Sequence, residues 1–282
     1  MSDPSRENPE IQFESRRKIQ LEIPGTLCAP GDLPVRVEID AKARKIGKDA
    51  RVLVCLHGSH SSSSEYVDVA EALGDSSESV VLVTSSRHEN FDPDGEKPFM
   101  SEDGGDDFMT SGFAGKTYDM EVEDFQRAID AVLDRAPELF GVSRDKVRLD
   151  ILGTSLGATI AAQLSSRYNE STDRLVLASP SAKVPSDDPA ARKPILDSVP
   201  DSVAFLGPLS VFKGKTVVIR GDRDEVTTED EAQAFQSVAQ SVRRVTIPGA
   251  GHTFGLFDFE QGEEEREQNR QAFLKIVREA LV

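Results

Sequence analysis

Apolar and polar residues alternate along two early stretches, RKIQLEI (17–23) and VRVEIDA (35–41). A period of two is the pattern of a half-buried β-strand. The intervening PGTLCAPGDLP makes them a hairpin-like pair with a long connection. From residue 51 the pattern changes. RVLVCL (51–56) and SVVLVTS (79–85) are continuous apolar runs, as strands buried on both faces require. Between them SEYVDVAEALG places Tyr66, Val69, Ala70 and Leu73 on one helical face, with Gly74 as a stop. DMEVEDFQRAIDAVLDRA (119–136) is predicted helical, with Met120, Phe125, Ile129 and Val132 facing inward. KVRLDIL, RLVLAS, KTVVIRG and RRVTIPG are further predicted strands. LGATIAAQLSSRY and EDEAQAFQSVAQ are helices, and in the first Leu156, Ile160 and Leu164 form one i+4 row. A last helix is predicted over about 263–281. Its first turn holds Glu263, Glu264 and Glu265, where the helix dipole favours negative charge.

Strands alternate with helices from residue 51 onward. That order predicts an α/β fold, a doubly wound and mostly parallel sheet with the early strand pair as an antiparallel edge. Residues 1–14 are polar and predicted mobile, and 15–282 are expected to form one domain. Two segments interrupt the alternation. Residues 86–116 are long, irregular and acidic, the profile of a functional lid or a flexible segment. Residues 179–214 carry Pro180, Pro185, Pro189, Pro194, Pro200 and Pro208 and cannot be one regular element.

Composition narrows the function. At 38% hydrophobic and 29% charged, 282 residues suffice for a packed core. A formal charge of −17 argues against nucleic acid and anionic membranes as partners. The N-terminus lacks an apolar signal core and no membrane-spanning run occurs, so a cytoplasmic protein is expected. Of the two cysteines, Cys28 and Cys55, the second sits in an apolar run and reads as a small buried hydrophobe. No Cys/His spacing suits a metal, and no cofactor is implied.

The candidate chemistry centres on GTSLG (153–157), where a predicted strand runs into a predicted helix. A residue at the apex of so tight a turn projects above the sheet from a strained backbone. Gly153 and Gly157 flank it where strand and helix nearly touch and only small residues fit. Gly-x-Ser-x-Gly between strand and helix is the nucleophile-elbow pattern, which makes Ser155 the candidate nucleophile. A serine hydroxyl needs a base, and the base needs an orienting acid. The histidines are His57, His60, His88 and His252. His252, in IPGAGHTFG, follows the last predicted strand at the edge where Ser155 sits and is the favoured base. His88 is a weaker candidate base or a substrate contact. VVIRGDRDEV offers Asp222, Asp224 and Glu225, of which Asp224 is favoured because it stands far enough past the strand to turn back toward a histidine. In CLHGSHSSSS, Gly58 lets the backbone turn so that the Ser59 N–H points into the site. Leu156 N–H, at a helix N-terminus, is the second candidate oxyanion donor. Ser61 to Ser64 read as a polar loop leading to a helix N-cap. A phosphate cradle there lacks the lysine and spacing of a P-loop.

With these motifs in place, the chain resembles the α/β-hydrolase family over about residues 15–282. His57-Gly58 after a strand, GTSLG around Ser155, GDRDEV around Asp224 and GAGH ending in His252 follow the family's order. The resemblance implies a serine hydrolase with Ser155 as nucleophile, His252 as base, Asp224 as acid, and the N–H groups of Ser59 and Leu156 as oxyanion donors. It also implies a small-molecule ester or thioester as substrate, and 179–214 as a small cap; a serine peptidase or acyltransferase on the same triad, and a non-catalytic binding protein on a hydrolase fold, are the alternatives. The chain departs from the family at Ala158, where a second glycine is common. His60, His88, Phe91, Phe99, Phe108 and Phe113 are candidate substrate-lining residues, the phenylalanines alternatively anchoring the long loop.

Overall fold

The computed structural model describes residues 17–25, 34–41, 49–59, 63–73, 79–86, 116–181, 198–200, 202–256 and 262–281. Its centre is a sheet whose strands are β1 (Arg17–Ile23), β2 (Val35–Ala41), β3 (Ala50–Leu56), β4 (Ser79–Thr84), β5 (Val147–Thr154), β6 (Thr172–Ala178), β7 (Lys215–Gly221) and β8 (Val242–Ile247). They lie in the order β1-β2-β4-β3-β5-β6-β7-β8. β1 and β2 are antiparallel, β2 is antiparallel to β4, and β3 onward is parallel. The expected fold class is therefore the observed one. The alternating strand β2, second from the edge, buries every second residue, whereas β4 is buried along its whole length.

The helices are α1 (Val67–Ala72), α2 (Tyr118–Asp134), α3 (Ala136–Phe140), α4 (Leu156–Leu164), α5 (Val203–Ser210), α6 (Glu229–Val238) and α7 (Glu263–Ala280). They cover both faces of the sheet. Phe125, Ile129, Ile160, Phe205 and Phe235 pack with Val54 and Ile151 on one side. Tyr66, Val69, Phe254, Phe273 and Val277 pack with Leu53 and Leu152 on the other. Cys55 is fully buried in β3 among the latter.

Several elements differ from the sequence reading. β5 runs to Thr154, two residues beyond Leu152, which leaves Ser155 alone between strand and helix. In α2 the inward face begins at Tyr118 and includes Glu121 and Asp124, while Met120 is only half-buried. Ser63 opens a short 3₁₀ turn, its N–H donating to Thr84 Oγ1 and its hydroxyl to Glu38 Oε1. The N-cap position of α1 is Tyr66, which makes no capping hydrogen bond. Within 179–214, residues 203–210 form α5, which packs on α4 and α6 with Phe205 stacked on Phe235 at 5.6 Å. Phe205 and Leu209 of that part join the core.

Two glycines set how closely α4 approaches the sheet. A Cβ at Gly153 would stand 2.4 Å from Gly157 O, and one at Gly157 would stand 2.1 Å from Leu56 O and 2.5 Å from His57 O. All these neighbours are backbone, so relief requires moving β3 away from α4. Gly157→Ala is expected to lose roughly 1–3 kcal/mol of stability, the usual cost of overpacking. Equilibrium urea unfolding measures it, and an unchanged midpoint would contradict so tight a contact.

Candidate active site

The parallel strands β5, β6 and β7 end at one edge of the sheet, where ligands bind in open α/β folds. Ser155 follows β5 with φ 50° and ψ −119°, a left-handed conformation costly for a residue with a Cβ. Hydrogen bonds over-determine it. Its N–H donates to Ala178 O at 2.8 Å, and its carbonyl accepts from Ala158 N at 3.0 Å and Thr159 N at 3.2 Å. The side chain is left partly exposed above the sheet.

His252 Nε2 lies 3.0 Å from Ser155 Oγ. Its Nδ1 lies 3.0 Å from both Oδ1 and Oδ2 of Asp224. A carboxylate beside Nδ1 holds the ring proton there, which leaves Nε2 as an acceptor for the serine hydroxyl. The loop carrying His252 is pinned from two sides. Phe254, at φ 55°, stacks on Phe273 of α7 at 4.8 Å. A Cβ at Gly221 would stand 2.1 Å from Ala250 O, so the end of β7 abuts the same loop.

The Asp224 side chain is fully buried and surrounded by donors. Oδ1 accepts from Val226 N at 2.9 Å and Thr227 N at 2.8 Å, and Oδ2 accepts from the Ser179 hydroxyl at 2.7 Å. Burial pushes its pKa up. Hydrogen bonding and charge from His252, then the Ser179 and Thr227 donors, outweigh that and hold the carboxyl below the usual carboxylate value. Arg220 braces the loop through carbonyls, donating to Asp224 O at 2.8 Å and Thr227 O at 2.9 Å. Asp222, the alternative acid, points elsewhere: its Oδ1 accepts from Gly249 N at 2.6 Å and ties the turn before His252. Glu225 is exposed.

Gly58 abuts the serine, for a Cβ on it would lie 3.4 Å from Ser155 Cβ. Its carbonyl is held by His57, whose Nδ1 lies 2.7 Å away. Ser85 N–H donates to His57 Nε2 at 3.1 Å, so the ring proton sits on Nδ1 and is donated to Gly58 O. Burial pushes the His57 pKa down, which favours this neutral ring. In a trans peptide the carbonyl and the following N–H point in opposite directions. Anchoring Gly58 O on His57 therefore also sets the direction of the Ser59 N–H. Leu156 is the first residue of α4 and buried.

Behind His57 lies a cluster that sequence reasoning missed. Lys116, Glu121 and Asp124 are all buried. Lys116 Nζ pairs with Glu121 Oε2, lies 3.0 Å from Asp124 Oδ2, and donates to Ser86 O at 2.7 Å. The Ser85 hydroxyl donates to Glu121 Oε1 at 2.7 Å, and Ser86 N donates to Asp124 Oδ2 at 3.0 Å. A continuous set of contacts thus runs from Lys116 through Glu121 and Ser85 to His57 and Gly58. One signal was available: Glu121 stands one turn before Phe125 on the apolar stripe of α2.

Of the other candidates, His60, His88, Phe91, Phe99, Phe108 and Phe113 lie outside the described residues. Among the described residues, no group of three His, Cys, Asp or Glu side chains is placed to hold a metal, and no helix is long and apolar enough to cross a membrane.

Sheet order, elbow and the loops after β7 and β8 together define the α/β-hydrolase fold, and solved structures share it. A dienelactone hydrolase from Anabaena variabilis superposes with a TM-score of 0.59 at 16% identity, over 95% of this chain and 97% of that one. Est1E from Butyrivibrio proteoclasticus, with ferulic acid bound, gives 0.56 at 16% identity, over 88% and 96% of the two chains. A thermostable esterase from Pseudomonas putida gives 0.59 at 16% identity, over 93% and 83%. No protein-family model matches the chain, and no curated protein matches it.

Proposed function

We propose that the protein is a serine hydrolase that cleaves small carboxylic esters, or thioesters, through an acyl-enzyme at Ser155. One observation carries this reading: Ser155 Oγ, His252 and the Asp224 carboxylate stand in hydrogen-bond sequence, 3.0 Å at each step, with the serine on a strained elbow. Strain at a non-glycine residue is kept where function needs it. The names of the fold's relatives, dienelactone hydrolase and esterase, support an ester as substrate.

The residues would act in order. Ser155 Oγ attacks the carbonyl carbon while His252 Nε2 takes its proton. Asp224 keeps the ring in the competent tautomer and stabilises the imidazolium that forms. Ser59 and Leu156 N–H groups donate to the oxyanion, each contributing about 3 kcal/mol to transition-state stabilisation. The intermediate collapses, the bond to the alcohol or thiol oxygen or sulfur breaks, and His252 Nε2–H protonates the leaving group. Water, deprotonated by His252, then releases the acid and restores the serine hydroxyl.

The test is a p-nitrophenyl ester series from acetate to palmitate. Turnover well above buffer, with a definite optimum in acyl length, is expected. No turnover of any member above buffer would overturn the ester reading.

A further inference from the structure

Ser179 is the first residue past β6, and its backbone is held at φ 46°, a region serine rarely adopts. Its side chain is completely buried. Its N–H donates to Ile219 O of β7 at 2.8 Å, which ties the β6 end to the strand that carries the acid. The preceding residue, Ala178, accepts the Ser155 N–H, so β6 also ends on the elbow.

The hydroxyl is placed with the same care. Ser179 Oγ donates to Asp224 Oδ2 at 2.7 Å, and Ser179 O accepts from Thr227 Oγ1 at 3.2 Å. Thr227 N returns to Asp224 Oδ1 at 2.8 Å. Ser179, Asp224 and Thr227 therefore close a ring of hydrogen bonds, all three residues being buried. Within that ring the two carboxylate oxygens are held from opposite sides: two backbone N–H groups fix Oδ1, and one hydroxyl fixes Oδ2. Without the hydroxyl only Oδ1 keeps its backbone donors, and Oδ2 loses the contact that holds it in the orientation in which both oxygens stand 3.0 Å from His252 Nδ1.

We infer that Ser179 is a positioning residue for the reaction proposed above: its hydroxyl holds the Asp224 carboxylate in the orientation in which it meets His252 Nδ1, and so acts on Ser155 through two intermediaries. The inference rests on that reading of the site. Ser179 has no hydrogen bond to the nucleophile's hydroxyl in this arrangement, so its loss should slow chemistry and leave substrate binding alone. A charge-assisted hydrogen bond is among the stronger ones, and its removal is expected to lower kcat roughly tenfold.

Two variants separate hydroxyl from backbone. Ser179→Ala keeps the strained backbone and removes the donor. Ser179→Gly removes the donor and relieves the strain, since glycine tolerates positive φ. Each is measured for kcat and KM on the best p-nitrophenyl ester, for the rate at which a fluorophosphonate labels Ser155, and for Tm. The inference expects both variants to lose roughly tenfold in kcat and in labelling rate, with KM within about twofold of wild type. Wild-type kcat and labelling in both variants would overturn it. Loss in Ser179→Ala with full recovery in Ser179→Gly would also overturn it, because backbone conformation would then be the cause. If wild-type protein is itself neither labelled nor active, the hydrolase reading fails first, and this inference with it. If wild type is labelled and both variants keep pace, only the role of Ser179 fails.

Discussion

Ser155→Ala is expected to fold normally and to lose ester hydrolysis almost completely, by about 10⁶-fold in kcat. The magnitude follows from what one atom does in the site. Oγ is the group His252 Nε2 meets at 3.0 Å, and without it there is no nucleophile for the imidazole to activate. The residual activity, about 10³–10⁴ over water, would come from the oxyanion donors and binding alone. Stability should not suffer. The bonds that hold the elbow, from Ser155 N to Ala178 O and from Ala158 N to Ser155 O, belong to the backbone. Steady-state kinetics on the p-nitrophenyl ester series, with a thermal melt of both proteins, measures this outcome. Retention of even a tenth of wild-type kcat would move the chemistry away from Ser155.

The largest effect on stability is expected from Lys116→Met. Lys116 is 1% exposed, and the carboxylates of Glu121 and Asp124 beside it are wholly buried. A methionine fills similar volume but leaves both acids without the ammonium they face. Breaking a buried pair in this way typically costs 3–5 kcal/mol, because the remaining charge stays desolvated and unmatched. Glu121→Gln works in the other direction. Among the described residues it leaves one cation facing one carboxylate, so its cost is expected to be clearly smaller. Urea unfolding of the two variants gives the comparison, and equal losses would contradict the charge arrangement. Lys116→Met should also depress kcat, since Ser85 and His57 hang from the same cluster and set the Gly58–Ser59 peptide.

Much of the fold was legible in the chain because its strands are either strictly alternating or wholly apolar. β1, β2 and β7 have the bounds that their patterns predict. The insertion of β4 between β2 and β3 was not legible, for chain order carries no lateral order. α5 was hidden by proline density, although just one of the six prolines of 179–214, Pro208, falls inside it. At the site, the side chains of Ser155, His252 and Asp224, picked out by spacing after predicted strands, are brought together by the structure. Asp224 was preferred to Asp222 for its distance past the strand, whereas its enclosure by the backbone N–H groups of Val226 and Thr227 is a matter of three-dimensional packing. Ser179 carried no signal at all, since a serine before a proline reads as an ordinary strand end. The Lys116 cluster was masked because acids on a charged helix look solvated until their face is known.

The central claim is that Ser155 is a covalently reactive nucleophile activated by His252 and Asp224. Titration with a fluorophosphonate, followed by intact-protein and peptide mass measurement, tests it most directly. One phosphonyl group per chain, on the peptide holding Ser155, with ester hydrolysis falling in proportion and no adduct on Ser155→Ala, is the predicted result. An unmodified chain, or an adduct on another residue while Ser155→Ala hydrolyses esters as fast as wild type, would contradict it.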